Sequence, residues 1–379
     1  MIKANINNIY SFLPPGVDQF GFQIVRNTEY AKYLAEIVGA EYSGMISTNT
    51  RLPSDSYLFS FCPVTVEQYD QLQIDPTRLW GGMVKFSFPL KGIIHPLVKD
   101  TQSVPANFPR EFSEKLYEQH LSVPGITCFS KKDIRRAYFD LSKDGFIVRL
   151  KDSHGSGTVK QYRLENLARL EEILFGYQDG YIERSGMLVE LNIVDPEGSA
   201  PPDSYSIGVL EILGNVYSYI GHQKIVDSGL FGYLGTRLSL YNGGFKEEIS
   251  SHGLYQIIEK KANSMIQLIT EYKPFLVGSR LNADLIYGVF EREDLQETIS
   301  QKPEMYFTEI STYPGGATAG ELVAVRYLNE NPNKRSITID SLTDHAYTGL
   351  YDRDYVKIFC DTVDPILGHT RVGAVIVDE

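Results

Sequence analysis

Residues 305 to 328 leave this chain with one local solution. Met305-Tyr-Phe-Thr-Glu309-Ile-Ser311 is dominated by residues that favour strands, Pro314-Gly315-Gly316 interrupts it, and the stretch from about Ala319 to Leu328 reads as a helix. A strand must therefore end near an acid, turn on glycines and feed a helix. Upstream, Asn282-Ala-Asp284-Leu-Ile-Tyr-Gly288 reads as a second acid-bearing strand, and Ile147-Val-Arg-Leu-Lys151 runs into the loop Asp152-Ser153-His154-Gly155-Ser156-Gly157. Glycines let backbone N–H groups turn toward phosphate oxygens, and carboxylates are the ligands magnesium prefers. Together the segments suggest phosphates held by a loop and a lysine, and magnesium held by acids.

At 379 residues the chain has material for two or three packed lobes. Its formal charge of -12 argues against a general electrostatic grip on nucleic acid. Cys62, Cys128 and Cys360 are far apart and fit neither a disulfide framework nor a zinc site. The N-terminal residues lack a signal pattern, and no stretch approaches the apolar length of a membrane span. The expectation is a cytoplasmic protein that binds neither nucleic acid nor membrane.

Along the chain the pattern predicts an α/β lobe over residues 1–121, with a helix from about Thr28 to Val38 and a linker from Lys99 to Pro109. A small α+β lobe over residues 122–193 opens with a capped helix at Ser130-Lys-Lys-Asp133 and closes with the strand Met187-Leu-Val-Glu190-Leu-Asn192-Ile. A larger lobe over residues 194–379 holds a hairpin at Gly214-Asn215, a long helix from Ser251 to Tyr272 with Leu254, Ile257, Ile258, Met265 and Ile269 on one stripe, and the acid-bearing strands. Tyr205, Tyr217, Tyr219, Tyr233 and Tyr241 offer either an aromatic surface for a substrate or ordinary strand packing.

This order of parts resembles the ATP-grasp superfamily, whose two α+β lobes clasp a nucleotide behind an N-terminal α/β domain. More narrowly, the chain resembles an uncharacterised bacterial ATP-grasp-like domain-of-unknown-function family. The narrower resemblance rests on Trp80-Gly-Gly-Met-Val, Ile94-His-Pro-Leu-Val98, Cys128-Phe-Ser-Lys131, Val148-Arg-Leu-Lys151, Tyr205-Ser-Ile-Gly208, Tyr219-Ile-Gly-His-Gln223, Ser279-Arg-Leu-Asn282-Ala-Asp284, and Glu309 with Gly315-Gly316-Ala317. These follow in the same order over roughly residues 40 to 370.

The resemblance implies ATP and Mg2+ as cofactors. It makes Lys131, Lys151 and the loop residues Ser153, Gly155, Ser156 and Gly157 the phosphate-binding set, and Glu190, Leu191 and Asn192 the segment that meets the adenosine. Asp284, Glu309 and Ser311 become metal ligands, with Glu309 shared between two ions. Lys131 also reads as a solvated residue at a helix start. Arg280 is placed either to stabilise charge on a transferring phosphoryl group or in a structural ion pair. Two residues depart from the superfamily pattern: Ser311 stands where asparagine is usual, and Tyr313 where many relatives carry arginine.

The implied activity is an ATP-dependent carboxylate–amine ligase working through an acyl phosphate, its partners being ATP, a small-molecule or peptide carboxylate and an amine, with a homodimer as the form common among relatives. A nucleotide-binding regulatory or scaffolding protein with a degenerate metal site, or a phosphotransferase, are the alternatives.

Overall fold

The computed structural model describes residues 6–13, 21–47, 50–73, 75–84, 90–155, 159–197, 201–226, 232–244, 253–274, 277–345, 354–364 and 368–378. The chain is a mixed α/β protein in which one parallel sheet precedes two antiparallel ones, with a small mixed sheet of Val64–Thr65, Gly82–Val84 and Val277–Gly278 beside them. The parallel sheet has the order Glu41–Ile46, Asn8–Phe12, Ser56–Ser60, Leu79–Trp80. Parallel neighbours require a crossover, and the helix Gly21–Val38, longer than the expected Thr28–Val38, provides it. Ser56–Ser60 is buried at every position, as a strand covered on both faces must be.

The second sheet is antiparallel, in the order Gly125–Cys128, Met187–Leu191, Val148–Asp152, Gln161–Leu164. The helix Lys131–Leu141 starts where its cap predicts: the Ser130 hydroxyl accepts the Asp133 N–H at 3.1 Å.

Nine of the described strands form the third sheet, which is also antiparallel. Its central path runs Ile193–Val194, Arg280–Phe290, Asp203–Ile212, Asn215–Ile225, Tyr233–Asn242, Ser336–His345, Gly368–Asp378, Lys357–Asp364, and Glu304–Ser311 adds to the Arg280–Phe290 strand. The hairpin turn falls one residue earlier than expected, on Leu213 and Gly214, both with positive φ (50° and 84°).

Strand alternation gives this sheet two unlike faces. Ile207, Ala283 and Leu285 point into a core with Ile258, Ala262, Met265 and Leu268 of the helix Gly253–Tyr272. Leu254, Ile258, Met265 and Ile269 of the stripe read in the sequence lie on this core, whereas Ile257 is exposed. A helix the sequence pattern missed, Arg110–Glu118, adds Phe112 and Leu116 to the same core. On the other face Leu238, Leu240 and Ile339 pack beneath Leu322 and Val325 of the helix Thr318–Glu330.

Contacts between distant stretches of chain hold the sheets together. Gly82–Val84 pairs with Val277–Gly278, almost 200 residues further on. A β-carbon at Gly82 would lie 2.5 Å from the Thr312 side chain, so only glycine permits this approach. The stretch 99–109 has no regular structure, but Thr101 donates to Asp133 at 2.6 Å and Phe108 is buried edge-on to Phe129. Of the tyrosines offered as an aromatic surface, Tyr205, Tyr217 and Tyr219 are core residues, and the Tyr217 hydroxyl donates to Asn329 at 2.7 Å.

Candidate active site

Arg280, Asn282 and Asp284 occupy alternate positions of one strand and so share a sheet face. Glu304–Ser311 pairs beside them in a register that sets Asp284 opposite Glu309 and Asn282 opposite Ser311, just before a bulge. The two acids and Ser311 are thus brought together, as the sequence reading required. Ser206 of the strand on the other side of Asp284 donates to its Oδ1 at 2.7 Å, Asn282 Nδ2 donates to the same oxygen at 2.9 Å, and Gln223 supports Ser206 at 2.7 Å. Burial, and then the charge of Glu309, push the Asp284 carboxyl up to about 6.

A buried lysine that the sequence reading passed over meets this pair. Lys91 lies in the short turn Leu90–Ile94; its ammonium is 2.9 Å from Glu309 Oε2 and donates to the carbonyl of Gly155 in the glycine loop. Burial is the largest influence and opposes its charge, but Glu309, Tyr313 and Asp284 together outweigh it and hold the lysine above its ordinary pKa.

The same turn delivers His95. Its Nε2 stands 3.0 Å from Glu190 Oε2, while Lys151 Nζ stands 2.8 Å from Glu190 Oε1. All three side chains are buried. Burial disfavours the Glu190 carboxylate, but Lys151 and His95 more than compensate and hold it down at about 2. Gly125 allows the contact, because a β-carbon there would lie 2.9 Å from both Glu190 and the His95 ring. Thr127 fixes the turn by donating to the carbonyls of Gly92 and His95.

Several candidates have other occupations. Arg280 is fully buried in a two-pronged pair with Glu321, at 2.9 and 2.7 Å, and its remaining arm donates to the Tyr313 carbonyl at 2.6 Å. Of its two expected roles, the geometry displays the ion pair; the guanidinium holds the helix Thr318–Glu330 and the loop before it against the sheet. The Ser153 hydroxyl is spent on the carbonyls of Ser185 and Gly186. Gly155 N–H closes the turn onto Asp152 at 2.9 Å, so Ser153 and Gly155 display the hairpin function of the loop; Ser156 and Gly157 lie outside the described residues. Lys131 meets the exposed Asp179 at 3.0 Å.

The adenosine segment also differs from expectation. Leu191 N–H donates to Pro124 and Asn192 N–H to Ile147, both at 2.9 Å, which leaves neither for an adenine edge. Asn192 instead joins the lobes, accepting from Arg149 at 2.7 Å and donating to Glu291 at 2.5 Å. Lys91 and His95 gave no sequence signal beyond the motif at residues 94–98, because their function depends on contacts about 100 to 200 residues away in the chain.

Whether the site suits a divalent cation turns on its free oxygens. Among the described residues Asp284 Oδ2 and Glu309 Oε1 accept no hydrogen bond, and burial and the Glu309 charge both raise the Asp284 carboxyl above its ordinary pKa. Hard oxygens on a paired-acid site fit magnesium. The set is small, however: among the described residues no group of three His, Cys, Asp or Glu side chains surrounds a common point, and the Asn282 amide oxygen already accepts from Tyr219 at 2.5 Å.

Fold and site together define a mixed α/β protein that sets a cross-strand pair of acids against a buried lysine, which also touches the glycine loop. The chain belongs to the family described as Protein of unknown function (DUF3182), which it matches over residues 19–364. No curated protein matches the sequence. Among solved structures the chain is similar to D-alanyl-alanine synthetase A from Vibrio cholerae (13% identity, 82% of this chain and 90% of that chain covered, TM-score 0.45). It is also similar to VanG D-Ala:D-Ser ligase from Enterococcus faecalis (10% identity, 82% and 91%, TM-score 0.47) and to D-alanine-D-alanine ligase from Helicobacter pylori (13% identity, 84% and 95%, TM-score 0.46). No helix among the described residues is long and apolar enough to cross a membrane.

Proposed function

We propose that this protein is an ATP-dependent ligase of the carboxylate–amine type, built on an ATP-grasp-like clasp. The observation that carries the reading is the cross-strand pair Asp284 and Glu309, each with an oxygen to spare, set beside a buried lysine that also touches the glycine loop. A carboxylate oxygen of the substrate attacks the terminal phosphorus of ATP and ADP leaves; an amine then attacks the acyl carbon and phosphate leaves. Such chemistry needs positioning and charge stabilisation and no protein nucleophile.

Asp284 and Glu309 would hold magnesium, with Ser311 beside them, and the ion when bound neutralises phosphate oxygens and polarises the phosphorus. Lys151 faces the phosphates from the small lobe, oriented by its 2.8 Å contact with Glu190. Arg280 acts through Glu321 and the Tyr313 carbonyl, as a positioning residue for the loop that follows Glu309.

The first test is calorimetric titration of the protein with ATP, with and without magnesium, beside Glu309→Gln. Magnesium-dependent binding that the substitution weakens supports the reading; absence of nucleotide binding by the wild type sinks it. A second reading, a nucleotide-binding regulatory protein, is favoured by Ser311 and by the engagement of Asn282 with Tyr219. It predicts nucleotide binding without ADP release across a screen of carboxylates and amines.

A further inference from the structure

We propose that Lys91 is a resident cation of this site, so that the site takes a single divalent ion and the lysine supplies the other positive charge at Glu309 and grips the nucleotide's phosphates. The inference rests on the ligase reading above and adds a residue and a cation count to it.

The first argument is geometric. Lys91 is 6% exposed and its ammonium lies 2.9 Å from Glu309 Oε2, the distance of a strong charge-assisted bond. An ammonium carries three donors and no acceptor. Two are directed at Glu309 and the Gly155 carbonyl, and among the described residues none takes the third, which suits an incoming phosphate oxygen.

The second argument is the ligand count. Apart from the oxygen that faces Lys91, the paired acids offer Asp284 Oδ2 and Glu309 Oε1, enough for one magnesium with its usual waters and phosphate oxygens. A further ion would need additional protein oxygens near Glu309. Ser311 offers only a short hydroxyl, Asn282 has its amide oxygen on Tyr219, and the described residues hold no set of three acid, histidine or cysteine ligands.

The third argument is how firmly the lysine is built in. Ile93 and Ile94 are fully buried, and Thr127 binds the carbonyls of Gly92 and His95, so the turn that carries Lys91 is anchored on both sides. Four residues on, His95 meets Glu190, the partner of Lys151. One short turn therefore fixes a cation on the metal acid and an imidazole on the acid that orients the other lysine. A flexible surface salt bridge would not be wired in this way.

The test counts Mn2+ ions by electron paramagnetic resonance in the presence of a non-hydrolysable ATP analogue, and measures the affinity of that analogue. The wild type is expected to bind one Mn2+ per chain. Lys91→Met, close in volume, should lower analogue affinity at least tenfold at low Mn2+, recover most of it at high Mn2+, and admit a second ion; Lys91→Arg should keep one ion. Two ions in the wild type would overturn the inference, and this measurement does not depend on the variants folding. Unchanged affinity and a single ion in folded Lys91→Met would also overturn it. A wild type that binds no Mn2+–analogue removes the ligase reading as well, whereas normal binding with the wrong ion count removes only the role of Lys91.

Discussion

The ring of Tyr219 lies across Gly208, its cross-strand partner, so closely that a β-carbon at Gly208 would come within 2.1 Å of the ring. Laid over that gap, the phenol reaches Asn282 at 2.5 Å and Glu321 at 2.8 Å, linking the strand that bears Asp284 to the pair that anchors the helix after Glu309. Burial first, and then Glu321, keep the phenol well above its ordinary pKa, so it remains a donor. Gln223, Ser206, Asp284, Asn282, Tyr219, Glu321 and Arg280 form one continuous polar chain, half-buried at Gln223 and Asp284 and buried elsewhere.

Gly208→Ala should therefore displace Tyr219 and destabilise the protein by about 1–3 kcal/mol, the usual range for overpacking. Tyr219→Phe keeps the ring and loses only the hydroxyl contacts, at about 1–2 kcal/mol. Urea denaturation measures both. An unfolding midpoint for Gly208→Ala equal to that of the wild type would contradict the close approach.

Arg280 and Glu321 are buried together, so removing one leaves the other uncompensated. Glu321→Leu or Arg280→Met alone should cost about 3–5 kcal/mol, and the two combined should cost less than the sum of the single changes. Additive losses in a double-mutant cycle would show that the pair is not coupled.

Glu190 gives acid stability a defined sign. Its folded pKa, about 2, lies below the 4.5 of the free side chain, so the unfolded state binds more protons between those values. Stability from this group is fully present above about pH 4.5 and is lost as pH falls through about 2. Denaturation curves between pH 2 and 6 should show a smaller acid loss in Glu190→Gln than in the wild type. Parallel acid limbs for the two proteins would remove Glu190 as a source of the pH dependence.

The two lysines proposed from the sequence should separate on nucleotide affinity. Lys151 is buried on Glu190, whereas Lys131 meets a side chain that is 76% exposed. Lys151→Ala should weaken ATP binding by about tenfold or more, roughly 1.4 kcal/mol, and Lys131→Ala by a factor of about two or less. Binding isotherms that rank the variants in the opposite order would move the phosphate site toward Lys131.

What the sequence determined by itself is local. Period-two alternation and glycine punctuation marked the strands that carry Lys151, Asp284 and Glu309, and a serine cap marked the start of Lys131–Leu141, because each signal is written within a few residues. The order of its motifs also identified the family, and the mixed α/β class followed from the succession of elements.

Only the tertiary structure decided which side chains share a site. Asp284 faces Glu309 through strand register, which a one-residue slip would have reversed. Lys91 and His95 reach their acids across long loops of chain, and no local pattern encodes such a meeting. Arg280 was legible as a charge, but its buried partner Glu321 stands on a helix 41 residues away, a contact that no local pattern reveals. Periodicity reports which face of an element is apolar; which polar groups that face is folded against depends on packing between distant elements.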